Sequence, residues 1–265
     1  MEKTRLTFTV IFILIILLCS MNTNAQVEPH SFLKKAEDIL YHPDENGLRS
    51  LKFVVQRNLP PTRYPEGGKI WEVNVEWHNN GEEKFTGNVS NDAPFSLQQK
   101  QQLKSVLPVI GETLLSEQLN RYVTRLLNFT KVSYQGENAG LHKIAFKPKE
   151  SRYDFKEKVL FYDENYVLQR AKTIMGNGNI LMESYNWEKC LEQKGKLILD
   201  VITAKTKFQG FDVKRKTKFN YDKIKGIYFI TSQTISTEGI PGMPSSEEKM
   251  VLHSFVVNGN KLDRY

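Results

Sequence analysis

The hydrophobic pattern changes character several times along the chain. Residues Phe8 to Leu18 are apolar except for Thr9, with Lys3 and Arg5 before them. The run is too short for the ~20 residues of a spanning helix. Thr23 and Ala25 supply small residues at the −3 and −1 positions of a signal peptidase site. Residues 1–25 are therefore expected to be a cleaved signal peptide, with residues 26–265 forming one domain. Next, Phe32, Leu33, Ala36, Ile39 and Leu40 recur at helical spacing, and a short helix is predicted over Ser31–Tyr41 with Ser31 as its cap.

Alternation follows. A strand is predicted over Leu51–Gln56. In Ile70–Trp77, Trp71, Val73, Val75 and Trp77 share one face, and Glu72, Asn74 and Glu76 the other. Asn79-Asn80-Gly81 reads as a turn, and the adjacent acids Glu82-Glu83 and Glu247-Glu248 as solvated loop or turn. From Ser96 to Asn128 the period is helical. Leu103, Val106, Leu107 and Ile110 make one stripe, and Leu115, Leu119, Tyr122, Val123 and Leu126 a second. Pro108 and Gly111 interrupt it, so two helices or one kinked helix are expected. Nine strands are then predicted up to Val257, separated by short signals such as Asn177-Gly178, Gln209-Gly210 and Lys225-Gly226. Short connections require antiparallel neighbours. The predicted fold is mainly β, a wide antiparallel sheet that must curl, with one helical insertion.

In Phe211–Tyr221, Phe211, Val213, Phe219 and Tyr221 share a face with Arg215 and Thr217. Asp212, Lys214, Lys216, Lys218 and Asn220 form the other, which fits a wetted sheet face or contact with lipid headgroups. The segment 238–244, Glu-Gly-Ile-Pro-Gly-Met-Pro, forbids regular structure and would leave Ile240 and Met243 on a loop.

Composition adds exclusions. The chain has 265 residues, 40% of them hydrophobic, with fifteen Phe and eleven Tyr, enough for a core. Its net charge of +7 is a mild excess, and no nucleic-acid recognition motif accompanies it. Cleavage of the leader would remove Cys19 and leave Cys190 without an internal disulfide partner. None of the five histidines shares a metal-binding helix turn, and there is no nucleophile elbow or phosphate-cradling loop. An envelope hydrolase would need distant acids to meet His142 or His253 in one pocket.

Three stretches carry a family resemblance. Residues 134–149 run Tyr-Gln-Gly-Glu-Asn-Ala-Gly-Leu-His-Lys-Ile-Ala-Phe-Lys-Pro-Lys, a strand ending in Pro-Lys. Residues 158–170 read as strand, acidic turn and returning strand. Residues 222–229, Asp-Lys-Ile-Lys-Gly-Ile-Tyr-Phe, open a late strand. Together with the element order, these resemble the periplasmic lipoprotein carriers and the LolA-like outer-membrane lipoprotein-sorting proteins. The resemblance implies an unclosed half-barrel with helices covering an apolar concave face. It implies no catalytic role and no cofactor, and a partner set of lipid, acyl chains of lipoproteins, and membrane-bound donor and acceptor proteins, for a periplasmic monomer. The groove expected on this basis is Trp71, Val73, Val75, Trp77, Phe211, Val213, Phe219, Phe229 and Leu252. The lid would carry Leu103, Leu107, Ile110, Leu115, Leu119, Tyr122 and Leu126. Both sets suit a permanent core equally well. A regulatory or scaffold module binding a protein partner is the other reading.

Overall fold

The computed structural model describes residues 27–58, 68–151, 154–190, 193, 195–208, 210–240, 242 and 245–261. The expected leader, residues 1–25, and part of the Ile240–Met243 loop lie outside the described residues. The chain begins with helix α1 (Pro29–Asp38) and a 3₁₀ turn (Pro43–Asn46). Three strands follow, β1 (Ser50–Asn58), β2 (Lys69–His78) and β3 (Glu83–Val89). Helices α2 (Leu97–Leu119) and α3 (Tyr122–Phe129) come next. The meander then runs through β4 (Thr130–Asn138), β5 (Leu141–Pro148), β6 (Phe155–Tyr162), β7 (Leu168–Met175) and β8 (Ile180–Lys189). It ends with β9 (Leu197–Phe208), β10 (Phe211–Ile224), β11 (Ile227–Glu238), β12 (Ser246–Val257) and the two-residue β13 (Asn260–Lys261).

All strands join one antiparallel sheet in the order β3-β2-β1-β12-β11-β10-β9-β8-β7-β6-β5-β4, with β13 beside β12. The two edges, β3 and β4, do not meet, so the curled sheet is an open half-barrel with the helices against its inner face. The lysine face of β10 is wet: Lys214, Lys216 and Lys218 are all exposed.

Several expectations are corrected by the structure. Helix α1 starts at Pro29, and its cap is Glu28, whose carboxylate accepts from the amides of His30 and Ser31. Ser31 sits inside the helix. Glu83 opens β3, a strand the pattern concealed because Gly87 interrupts the inward run between Phe85 and Val89. Glu248 likewise lies on β12 and pairs with Arg57 across the sheet. Helix α2 passes unbroken through Pro108 and Gly111. Pro108 is exposed, so water can satisfy the carbonyl its ring leaves unbonded. The helical block breaks instead at Asn120, whose φ of 52° ends α2 in the left-handed region.

Two cores result. The larger packs β1, β2, β11 and β12 against α2, with Trp71, Val73, Phe53, Leu107 and Phe229 fully enclosed. The smaller joins Phe32, Leu33 and Ala36 of α1 and Val123 and Leu126 of α3 to Ile144, Phe146, Leu160 and Tyr162 of the sheet. Tyr185 and Trp187 touch both.

Candidate functional site

Between the two cores the helices do not fill the sheet. A cavity of about 390 Å³ remains, within the range of small-ligand sites. Its floor is the inner face of β6 to β9: Tyr162, Leu168, Glu183, Tyr185, Trp187, Leu199 and Ile202. Its roof is Ala36 of α1, Leu40, and Tyr122, Val123, Leu126 and Phe129 of α3. Thr113, Ser116 and Glu117 of α2, with Asn120, close one side.

Strand alternation explains the floor. Glu183, Tyr185 and Trp187 are spaced by two along β8 and all point inward. On β9 the two inward residues are three apart. Asn186 pairs with Val201 and Trp187 with Leu199, so Asp200 is an extra residue, a bulge that returns both Leu199 and Ile202 to the inner face. Asp200 accepts from Asn186 Nδ2 at 3.0 Å on the outer side. The Trp187 ring is fixed by Nε1 donating to the Leu168 carbonyl at 2.7 Å.

The floor contains an ion pair. Lys158 Nζ lies 3.0 Å from Glu183 Oε2, with side chains only 10% and 16% exposed. The ammonium also sits 4.9 Å from the Tyr122 ring centre, a cation–π distance. Burial alone would lower the Lys158 pKa, but Tyr122 and Glu183 outweigh it and hold the group above its usual range. The lysine is charged, and Glu183 balances it. The hydroxyls of Tyr122 and Tyr185 join this cluster. Tyr162 does not: its hydroxyl is buried without a hydrogen-bond partner.

The roof is tied down at its ends. Glu37 accepts from the Thr124 amide at 3.0 Å and its hydroxyl at 2.7 Å, joining α1 to the first turn of α3. Buried His42 places one ring nitrogen 3.0 Å from the Leu119 carbonyl and the other 2.9 Å from that of Glu37. Arg125 pairs with Glu112 at 2.9 Å. Beside the rim, Gln233 donates to Glu117 at 2.6 Å. Burial raises the Glu117 carboxyl to about 7, against the opposing effects of Gln233, Arg215 and Arg125. Arg215, expected on the apolar side of β10, is exposed and acts on Glu117 only electrostatically.

The expected groove and this cavity occupy different places. Trp71, Val73, Val75, Trp77, Phe219, Phe229 and Leu252 are buried in the larger core beneath α2. Val213 is half-buried and Phe211 exposed, at the end of the sheet where β10 begins. None of these nine lines the cavity. Of the lid residues, Tyr122 and Leu126 do. Leu107, Leu115 and Leu119 belong to the larger core, with Leu103 and Ile110 packed at its margin. The floor residues escaped sequence reading, although one signal was available. Lys158 and Glu183 are charges on otherwise apolar strand faces, which requires that they meet.

The histidines do not converge. His142 accepts or donates at Tyr134 Oη, 3.0 Å away, with its ring against Phe32. His253 lies beside Ser254 on β12. Among the described residues no group of acids, histidines or cysteines could hold a metal ion, and no helix is long and apolar enough to cross a membrane.

An open antiparallel half-barrel with a roofed apolar cavity is thus the class that fold and site define. No protein-family profile and no curated protein sequence matches the chain. Among solved structures it is similar to a LolA superfamily protein from Nitrosomonas europaea, at 11% identity and TM-score 0.34, covering 90% of this chain and 95% of that one. It is also similar to a DUF1329 family protein from Desulfovibrio piger, at 10% identity and TM-score 0.31, covering 85% and 92%. An outer membrane lipoprotein-sorting protein domain from Vibrio parahaemolyticus is similar at 7% identity and TM-score 0.31, covering 86% and 91%.

Proposed function

We propose that this protein binds lipid without chemical turnover, with an acyl chain occupying the cavity under α1 and α3. The supporting observation is the cavity itself: apolar walls at a place where close packing would normally leave no such space. Each buried CH₂ of a guest contributes ~0.8 kcal/mol, so a twelve-carbon chain gains on the order of 9 kcal/mol before ordering costs. A carrier must also release its cargo. Helix α3 is the element suited to that: it is eight residues long, and the links of its outer face, Glu37–Thr124, Arg125–Glu112, Arg125–Thr113 and Lys149–Asn128, are polar contacts at or near the surface. Exchange with membrane-bound donors and acceptors would extend the same reading.

The test is to fill the cavity. Ile202→Trp puts an indole into the floor, and Leu126→Phe enlarges the roof. Both variants are expected to keep the wild-type circular dichroism and to lose binding of N-phenyl-1-naphthylamine, a fluorescent apolar probe. Unchanged probe binding in folded variants would reject the cavity as the lipid site.

A further inference from the structure

Two adjacent rows of side chains cross the outer face of β7 to β10, and the strand register fixes their members. In the first, Lys172 pairs with Met182, Met182 with Lys205, and Lys205 with Lys214. In the second, Arg170 pairs with Ser184, Ser184 with Thr203, and Thr203 with Lys216. Both rows lie opposite the cavity floor, because Met182 and Ser184 alternate along β8 with Glu183, Tyr185 and Trp187. Lys172 is half-buried, and Arg170, Lys205, Lys214 and Lys216 are exposed. Five cations thus lie on four neighbouring strands, a width of about 14 Å at the usual strand spacing.

The anions nearby do not balance them. Glu238, beside Lys214 on β11, takes that lysine at 2.9 Å. Asp212, at the hairpin tip, lies 3.8 Å from Lys207. Glu157 of β6 pairs with Lys147. Asp200 and Glu188 lie beside Lys218, and Glu247 is on β12, one strand beyond Ser236. Among the described residues, the side chains of Arg170, Lys172, Lys205 and Lys216 make no ion pair or hydrogen bond. Two apolar side chains stand out of the same face towards the β7–β8 turn: Met182 is 39% exposed and Ile180 44%. Like charges directly opposite each other, as at Lys205 and Lys214, destabilise a sheet. The isolated fold gains nothing from this face.

We propose that the outer face of β7 to β10 docks on an anionic lipid bilayer. Charge complementarity selects a negative partner, and the kind of cation selects a bilayer. Four of the five are lysines, which protein–protein interfaces disfavour relative to arginine. Mobile ammonium groups suit the diffuse charge of a headgroup layer, which asks for no fixed donor geometry. Ile180 and Met182 can enter the boundary between headgroups and acyl chains. In this pose the roof helices α1 and α3, on the inner face, stay clear of the bilayer. The inference does not depend on what occupies the cavity.

Vesicle flotation is the test. The protein is purified from a secreting bacterial host, its mass confirming that the apolar run Phe8–Leu18 is gone. It is expected to float with vesicles of phosphatidylglycerol and phosphatidylcholine in equal parts, to stay behind with phosphatidylcholine alone, and to be released by salt. The double variant Lys205→Glu, Lys216→Glu is expected to bind the anionic vesicles at least about 25-fold more weakly, about fivefold for each lost cation. Both side chains are exposed, so the fold is not at stake. Lys104→Glu with Lys131→Glu makes the same change in net charge at exposed sites on α2 and β4. That control is expected to bind as the wild type does, because surface charges are screened beyond ~8 Å at physiological ionic strength. Equal losses in the two double variants would overturn the inference, and so would equal flotation on both kinds of vesicle. Flotation on neither, with binding to poly-glutamate instead, would also overturn it and give the face to an acidic protein. N-phenyl-1-naphthylamine should bind both double variants equally, which keeps this result separate from the lipid-binding reading.

Discussion

Among single residues, the Lys158–Glu183 pair is where substitution should be most informative. Its two charges are compensated in an otherwise apolar floor. Removing one partner strands the other, which costs about 3–5 kcal/mol. Lys158→Met is therefore expected to lower stability by that order. The double variant Lys158→Met, Glu183→Leu should recover most of the loss, since well-packed apolar replacements for a buried pair are often neutral or better. Denaturant titration of the three proteins checks this, and a double variant as unstable as the single one would contradict it. Glu117 makes a different statement. Its pKa in the folded protein is raised from 4.5 to about 7, so the folded state holds a proton that the unfolded chain has released. Stability contributed there is present below pH 4.5 and is lost as pH rises towards 7. Melting curves across pH 4 to 8 should show a decline in wild type that is flatter in Glu117→Gln.

At the scale of elements, α2 is a fastened helix rather than a movable one. A Cβ on Gly87 of β3 would come within 2.3 Å of Leu107 Cβ, and one on Gly111 within 2.8 Å of Val73. The helix lies directly on the sheet at both points. Gly87→Ala is expected to cost roughly 1–3 kcal/mol through overpacking, measured as a fall in denaturation midpoint. At Gly111 the gain in helix propensity, about 1 kcal/mol, offsets part of the clash, so Gly111→Ala should cost less. This fastening shows which part of the fold was legible in the pattern. The strands from β4 to β12 could be read because their alternation is regular and most of their turns carry Gly. The helical stripes of α2 and α3 could be read as apolar, but not as serving different ends. Leu107 and Leu126 look alike in sequence. One is clamped against Gly87 and the other hangs over a cavity, and only the backbone approach permitted by a distant glycine separates them. The bulge at Asp200 was likewise hidden, because an extra residue in one strand shifts the inward face without leaving a composition mark.

For the whole molecule, the strand order sets when each part can form. From β4 to β11 every strand pairs with its neighbour in the chain, so these pairings are local hairpins. The exception is β1, which pairs with β2 on one side and with β12 on the other, where Leu51 meets Val257. Closing so long a loop is the slow step of such topologies. Pulse-labelled hydrogen exchange during refolding should therefore protect the amides of β6 to β8 before those of β1 and β12, and simultaneous protection would contradict this order. The β1–β12 seam then acts as a clock on the growing chain. The floor of the cavity is complete as soon as β9 has been synthesised, while β1 waits with an open edge for a strand at the far end of the chain. In that interval the polypeptide holds a formed ligand-binding surface beside an unpaired strand, which is the state in which aggregation competes with folding and a helper that covers the β1 edge would do the most good.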